Sequence, residues 1–206
     1  YPSSIMGATK RIAEMIFLYL FPESNTKFMT VRFGNVIGSR GSVLNIFHEQ
    51  IKMGGPVTIT DPEMKRYFMT IPEAVTLINQ ACTIGKSGEI FILDMGKPVK
   101  IVDFARDVLK LYGLNEDKDI EVIYTGKRPG EKIDEELWFS EENPQPTSNK
   151  KILRAEKVGN LVGQQDSFKK LITELLNYSS KGDNDNVQKM ICEIVPEYQP
   201  VENSSS

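Results

Sequence analysis

Histidine is almost absent from this sequence. His48 is the only one in 206 residues, which removes His-based catalytic triads and most zinc sites. Cysteine is nearly as scarce. Cys82 and Cys192 are too few for a disulfide framework and lack metal-ligand spacing. Neither sign of charge is in excess: 25 Lys and Arg stand against 28 Asp and Glu, with net charge −3 and a pI near 5.4. Bulk charge therefore excludes a nucleic-acid binder. Long apolar runs are missing too. The longest uncharged stretch, Ala74 to Gly85, includes Asn79 and Gln80 and falls short of the ~20 residues that a membrane helix needs. No secretory signal pattern is visible. These absences fit a reducing, cytoplasmic setting. The composition that remains, 40% apolar and 26% charged, rules out wholesale disorder. The length suits one large domain or one and a half small ones.

Periodicity predicts strands alternating with helices, hence an α/β fold with parallel pairing where helices separate strands. Gly7 to Leu20 reads as a helix stopped by Pro22, with Met6 and Lys10 four apart on one face. Phe28 to Phe33 is a strand candidate that runs into a glycine-punctuated loop, residues 34–41, and Ser42 then reads as the N-cap of a helix reaching Met53. Val57 to Thr60 and Arg66 to Met69 are short strands. Thr70 to Glu73 has capping-box spacing and opens a helix ending near Gly85. Glu89 to Leu93 has the unbroken hydrophobicity of a buried strand. Ile101, Phe104, Ala105, Val108 and Leu111 mark an amphipathic helix ended by Gly113. Ile120 to Tyr124 alternates as a half-exposed strand. A short acidic helix through Trp138, a loop over 144–149, and two more helices complete the chain. The first of these carries Phe168, Leu171, Ile172, Leu175 and Leu176 inward. The second carries Val187, Met190, Ile191 and Ile194. Cys82 is expected in the core and His48 on the surface. Met29, Met64, Met69 and Met95 are expected as packing residues. Trp138 is expected to anchor a peripheral helix, and Asp134-Glu135-Glu136 to form a solvated face. The chain opens at Tyr1 without an initiator Met and closes on a polar tail, Glu202 to Ser206. It is expected to be cut from a larger protein.

Three constellations carry candidate chemistry. Met6-Gly7-Ala8-Thr9-Lys10 places a lysine one turn after a methionine. Arg32 to Ser42 takes a strand through a glycine-rich loop to a helix start, whose free amides favour an anion. Arg66 and Arg128 carry guanidinium forks that suit diphosphate oxygens. Taken singly, each has a plain structural reading: a solvated lysine, an ordinary turn, two surface arginines.

Together with Gly54-Gly55-Pro56-Val57-Thr58-Ile59-Thr60, Arg66-Tyr67-Phe68-Met69-Thr70-Ile71-Pro72-Glu73-Ala74, Leu93-Asp94-Met95-Gly96 and Arg128-Pro129-Gly130-Glu131-Lys132, these segments resemble the CapD-like polysaccharide biosynthesis proteins. Those are extended short-chain dehydrogenases/reductases that act as UDP-N-acetylglucosamine 4,6-dehydratases. The resemblance runs from the first residues to about Leu137. It implies the C-terminal part of a Rossmann-type parallel sheet with a smaller α/β substrate-binding subdomain. Residues 1–149 would be the C-terminal half of an NAD-dependent dehydratase domain, and 150–206 a helical extension.

The resemblance also implies roles. Lys10 would hydrogen-bond the nicotinamide ribose of NAD, and Met6 stands where the family usually has a tyrosine base. Asn35 and the amides near Ser42 and Val43 would meet the diphosphate of a UDP-sugar. Arg66 and Arg128 would converge on that diphosphate, Glu131 would accept from the uridine ribose, and Pro56, Val57 and Thr58 would lie against the uracil. The net reaction would be a lyase reaction giving UDP-4-keto-6-deoxy-N-acetylhexosamine, with NAD regenerated. A thioether is only a weak acceptor and no base. In the family, a methionine at this place is typical of a long, membrane-anchored branch with a cytoplasmic catalytic domain, in which an upstream Thr-Asp-Lys segment does the acid/base work. That segment is absent from this sequence, as is any Gly-x-Gly-x-x-Gly after a first strand, so the 206 residues alone are expected not to turn substrate over. Two other readings stay open: a related nucleotide-sugar epimerase or reductase, and a UDP-sugar-binding fragment without catalysis. Many relatives oligomerise through the lysine-bearing helix. Its apolar run is expected to serve a homo-oligomer or to pack on the chain's own sheet.

Overall fold

The computed structural model describes residues 2–20, 25–116, 118–156 and 164–198. Helix α1 (Ile5–Leu20) starts where the Ser4 hydroxyl accepts the Gly7 amide at 3.1 Å. Strand β1 (Thr30–Arg32) follows, then β2 (Asn35–Val36), α2 (Val43–Lys52), β3 (Val57–Ile59), β4 (Lys65–Arg66), β5 (Phe68–Met69), α3 (Ile71–Ile84), β6 (Ile90–Leu93), β7 (Val99–Lys100), α4 (Ile101–Leu111), β8 (Val122–Tyr124), β9 (Gln145–Pro146), β10 (Ile152–Ala155), α5 (Gln165–Ser180) and α6 (Asn184–Ile194). Among the described residues no helix is long and apolar enough to cross a membrane, and no cluster of His, Cys, Asp or Glu is arranged to hold a metal.

The main sheet has the order β1-β6-β10-β9. β1 runs parallel to β6, pairing Val31 with Phe91. β10 is antiparallel to β6, and β9 antiparallel to β10. All four residues of β6 are buried, as the run Ile90 to Leu93 requires of a strand covered on both faces. Helix α3 packs Ala74, Leu77 and Ala81 against one face with Phe91, Leu93 and Ile152. Leu18 of α1 meets Ile90, Ile92 and Ala155 on the other. A second core joins α2 and α4 to the parallel pair β3–β8 through Phe47, Val57, Ile59, Ala105, Val108 and Leu109. Two further short pairs form, β2 parallel to β5 and β4 antiparallel to β7.

A third core lies on the far side of α1. Ala8 and Ile12 are buried against Phe168, Ile191, Ile194, Val195 and Tyr198, and Tyr19 stacks on Phe168 with ring centroids 4.6 Å apart. The face expected to meet either a second copy or the chain's own sheet is therefore mostly covered by α5 and α6.

Several local expectations need correction. No helix runs through Trp138; residues 133–138 are irregular. Arg66 to Met69 is not one strand. Tyr67 separates β4 from β5, which belong to different pairs. The glycine-punctuated loop contains β2, residues 144–149 contain the edge strand β9, and β10 precedes the two helices of the segment expected as a helical extension. Cys82 is exposed, because Ala74, Leu77 and Ala81 set the buried face of α3. Leu111 is 87% exposed and Leu176 64%. Leu109 takes the core place expected of Leu111.

Candidate functional site

A cavity of about 1110 Å³ opens between α1, β1 and the segment 128–139. Met6 and Lys10, Asn35, Arg66, and Arg128 and Glu131 all line it. Helical spacing carries the first pair: α1 turns its Ala8/Ile12 face to α5 and α6, and that rotation leaves Met6 (68% exposed) and Lys10 towards the cavity. The Lys10 ammonium makes no hydrogen bond or ion pair among the described residues. Asn35 is placed by β2, its amide donating to the Tyr67 carbonyl at 2.9 Å.

The segment 128–138 crosses the cavity as a strap, and its fastenings explain why it forms no helix. The Ser3 hydroxyl donates to the Gly130 carbonyl at 2.7 Å. The Lys65 amide donates to the Ile133 carbonyl at 2.9 Å. Lys65 pairs with Asp134 at 3.6 Å, Arg66 with Glu135 at 3.2 Å, and Lys132 with Glu136 at 2.9 Å. The acidic run expected to be a solvated face is thus individually paired, and Trp138 lies 44% exposed on the strap, lining the cavity rather than anchoring a helix. Glu131 is held at both oxygens: Oε2 accepts the Arg128 amide at 3.1 Å and Oε1 the Thr60 hydroxyl at 3.4 Å. The Arg128 guanidinium has no partner among the described residues.

The remaining expected residues do not line this cavity. Ser42 does cap α2, but its side chain makes no cap hydrogen bond. Its hydroxyl is buried and unpartnered among the described residues. Val43 begins the helix, where first-turn amides lack intrahelical partners. Pro56 follows a cis peptide and is exposed, and Val57 is buried in the smaller core. Thr58 is tied to Gln50, whose amide nitrogen donates to its hydroxyl at 2.6 Å and whose carbonyl oxygen accepts its amide at 3.0 Å. The link between the two groups runs through Thr60, two residues beyond Thr58 on the same side of the chain, which donates to Glu131.

Beneath the cavity lies a charge network that local patterning did not reveal. Arg32 on β1 forks onto Glu14 of α1 through Nε (2.6 Å) and Nη2 (2.7 Å), and onto Glu142 through Nη1 (2.7 Å) and Nη2 (2.9 Å). Glu142 also accepts the Phe139 amide at 2.7 Å. Arg11 pairs with Glu14 and, at 3.1 Å, with Glu197. Both guanidinium groups lie over the Phe139 ring. Burial alone would raise the Glu14 pKa, but hydrogen bonds and attraction from Arg32 and Arg11 hold it below the ordinary carboxylate value. Burial works against the Arg32 charge, yet Glu14 and Glu142 more than offset it and keep the group charged. One signal pointed this way: Arg32 interrupts a run of strand formers, and an inward-facing charge needs a partner. His48, expected without a partner, contacts the Tyr112 hydroxyl outside the cavity.

Comparison with known proteins finds relatives along most of the chain. The chain is 50% identical over 181 residues to the capsular polysaccharide biosynthesis protein CapD of Staphylococcus aureus, covering 87% of this chain and 30% of that protein. It is 32% identical over 146 residues to a UDP-glucose 4-epimerase of Rickettsia akari, covering 69% of this chain and 41% of that protein. The chain therefore spans less than half the length of either relative. The solved structure of Pen from Bacillus thuringiensis superposes with a TM-score of 0.65 at 34% identity, over 85% of this chain and 59% of that one. The fold is accordingly α/β, with the C-terminal part of a Rossmann-type sheet and a smaller α/β unit beside it. Residues 1–157, from the helix bearing Met6 and Lys10 through the strap to the end of β10, match the polysaccharide biosynthesis proteins, and the chain belongs to that family.

Proposed function

We propose that this chain carries the substrate-binding part of an NAD-dependent nucleotide-sugar 4,6-dehydratase that acts on UDP-N-acetylglucosamine in glycan biosynthesis, on the cytoplasmic side of the membrane. One observation carries the reading: Met6, Lys10, Asn35, Arg66, Arg128 and Glu131, drawn from four separate parts of the chain, line one cavity. Arg66 and Arg128 bring two guanidinium groups to it, which suits a diphosphate. Glu131, fixed at both oxygens, suits hydroxyls of a ribose. Asn35 adds a neutral amide, and Pro56, Val57 and Thr58, which stand outside the cavity lining, are assigned to the base through the link that Thr60 makes to Glu131.

The free ammonium of Lys10 fits a hydroxyl-bearing ribose, so Lys10 would hold NAD. When bound, that cofactor supplies a reversible hydride acceptor. Met6 beside it cannot move a proton, so this reading leaves the acid/base work to a Thr-Asp-Lys segment that the 206 residues do not include. The chain by itself should bind UDP and not turn the sugar over.

Calorimetric titration with UDP tests the binding half. Each of Arg66→Ala and Arg128→Ala should weaken binding by roughly 10- to 100-fold, since a hydrogen bond to a charged group contributes about 1.5–3 kcal/mol. Unchanged affinity in both, with the fold intact, would overturn the diphosphate assignment. The 32% identity to an epimerase favours a second reading, epimerisation, and product mass separates the two. A protein as long as the CapD relative, given UDP-N-acetylglucosamine and NAD, should yield a product lighter by one water. A product of unchanged mass would establish the epimerase.

A further inference from the structure

Arg66 is not idle in this structure, and its partners are unevenly distributed. Nη1 donates to two backbone carbonyls, Lys65 at 2.7 Å and Ile133 at 3.0 Å. Those two bonds already fix the plane and direction of the guanidinium. Nε faces Glu135 Oε1 at 3.2 Å, and Nη2 makes no hydrogen bond among the described residues. The Nε–Nη2 edge is one on which two parallel N–H groups can receive two oxygens of one phosphate. Glu135 stands against the Nε end of that edge.

Glu135 is the member of the acidic run that turns inward. Asp134 and Glu136 are exposed and pair with Lys65 and Lys132, whereas the Glu135 side chain is only 29% exposed and lines the cavity. Burial raises its pKa above the ordinary carboxylate value even with Arg66, Lys10 and Lys132 nearby to lower it. Its charge is therefore poorly compensated where it sits. A second anion arriving on Arg66 would meet a carboxylate already there.

We propose that Glu135 is a built-in counter-anion on Arg66 that a nucleoside diphosphate must displace, making Glu135 a determinant of how strongly the site discriminates between a diphosphate ligand and the bare nucleoside. The inference rests on the assignment of Arg66 to the diphosphate. Orientation of Arg66 falls to the two carbonyls, so loss of the Glu135 charge frees the Nε–Nη2 edge without releasing the guanidinium.

The test is calorimetry with UDP and with uridine on the wild-type chain, Glu135→Gln, Glu135→Ala and Arg66→Ala. Circular dichroism and a thermal midpoint confirm that each is folded. Both Glu135 variants should bind UDP roughly tenfold more tightly, as expected from removing a like charge a few ångströms from the ligand, and should bind uridine as the wild type does. Added salt should narrow the UDP difference. If Arg66→Ala loses UDP binding while the folded Glu135 variants bind UDP no better than wild type, Glu135 only orients Arg66 and the inference fails with the diphosphate assignment intact. If Arg66→Ala leaves UDP affinity unchanged, or no variant binds UDP, the assignment itself falls and takes the inference with it.

Discussion

Arg32→Ala should lower the unfolding free energy of the chain by about 3–5 kcal/mol, the usual consequence of removing one partner from a buried ion pair. Glu14 is 7% and Glu142 3% exposed, and Arg32 is a bidentate partner of both. Without it, two carboxylates stay in a low-dielectric site with Arg11 as the remaining cation in contact with Glu14. The pH dependence has a definite sign. In the wild type the Glu14 pKa is held below the ordinary value of 4.5, so its stabilising contribution is complete above that value and is lost as pH falls through the lowered one. In the variant the partner is gone while the burial that raises the pKa remains, so Glu14 is relieved by protonation. Urea unfolding at neutral pH and near pH ~4 should therefore show the gap between the two proteins narrowing in acid. A gap independent of pH would mean that the loss is one of packing over Phe139 and not of charge.

Gly130→Ala should be the most damaging single change in the strap. Gly130 has φ of +76°, and a Cβ there would lie 2.2 Å from the Ser3 carbonyl oxygen. Backbone on both sides leaves no flexible side chain to yield. The left-handed conformation costs alanine about 1–2 kcal/mol, and moving the strap sacrifices the Ser3–Gly130 hydrogen bond, worth about 1 kcal/mol. On the proposed assignment UDP affinity should fall as well, because Arg128 and Glu131 ride on the same turn. Proteolysis of the strap together with UDP titration reads both effects. Gly130→Asn separates the causes, since asparagine tolerates the dihedral but keeps the Cβ. Recovery with asparagine would show that dihedral strain and not the clash with Ser3 dominates.

The helices were largely legible because each carries its own signals. Thr70 accepts the Glu73 amide at 3.3 Å, Ser42 precedes α2, and Ala105 and Val108 face inward as their spacing requires. Strand β6 announced itself by an unbroken apolar run. The failures are tertiary in origin. Ile152 to Ala155 is short and follows two lysines, and only its pairing with β6 makes it a strand. Residues 133–138 have helix-forming acids, but ion pairs with Lys65 and Arg66 and the bonded Ile133 carbonyl hold them extended along β4. The same divide holds for the site. Met6 and Lys10 are neighbours by helical spacing alone. Arg66 and Arg128 were joined beforehand only by family resemblance, since 62 positions separate them in the sequence. Nothing local could join Arg32 to Glu142, since that contact exists only once β1, α1 and the segment after the strap have met.

The cover over α1 also imposes an order in time. The residues that bury Ala8 and Ile12, Phe168 to Tyr198, come about 160 positions after them in the sequence. At about 5–20 residues per second on a ribosome, the apolar stripe of the helix carrying Met6 and Lys10 waits roughly ten to thirty seconds for its lid. Through that interval the stripe has no cover, and the helix that brings Met6 and Lys10 to the cavity is held on its far side only once α5 and α6 have been made.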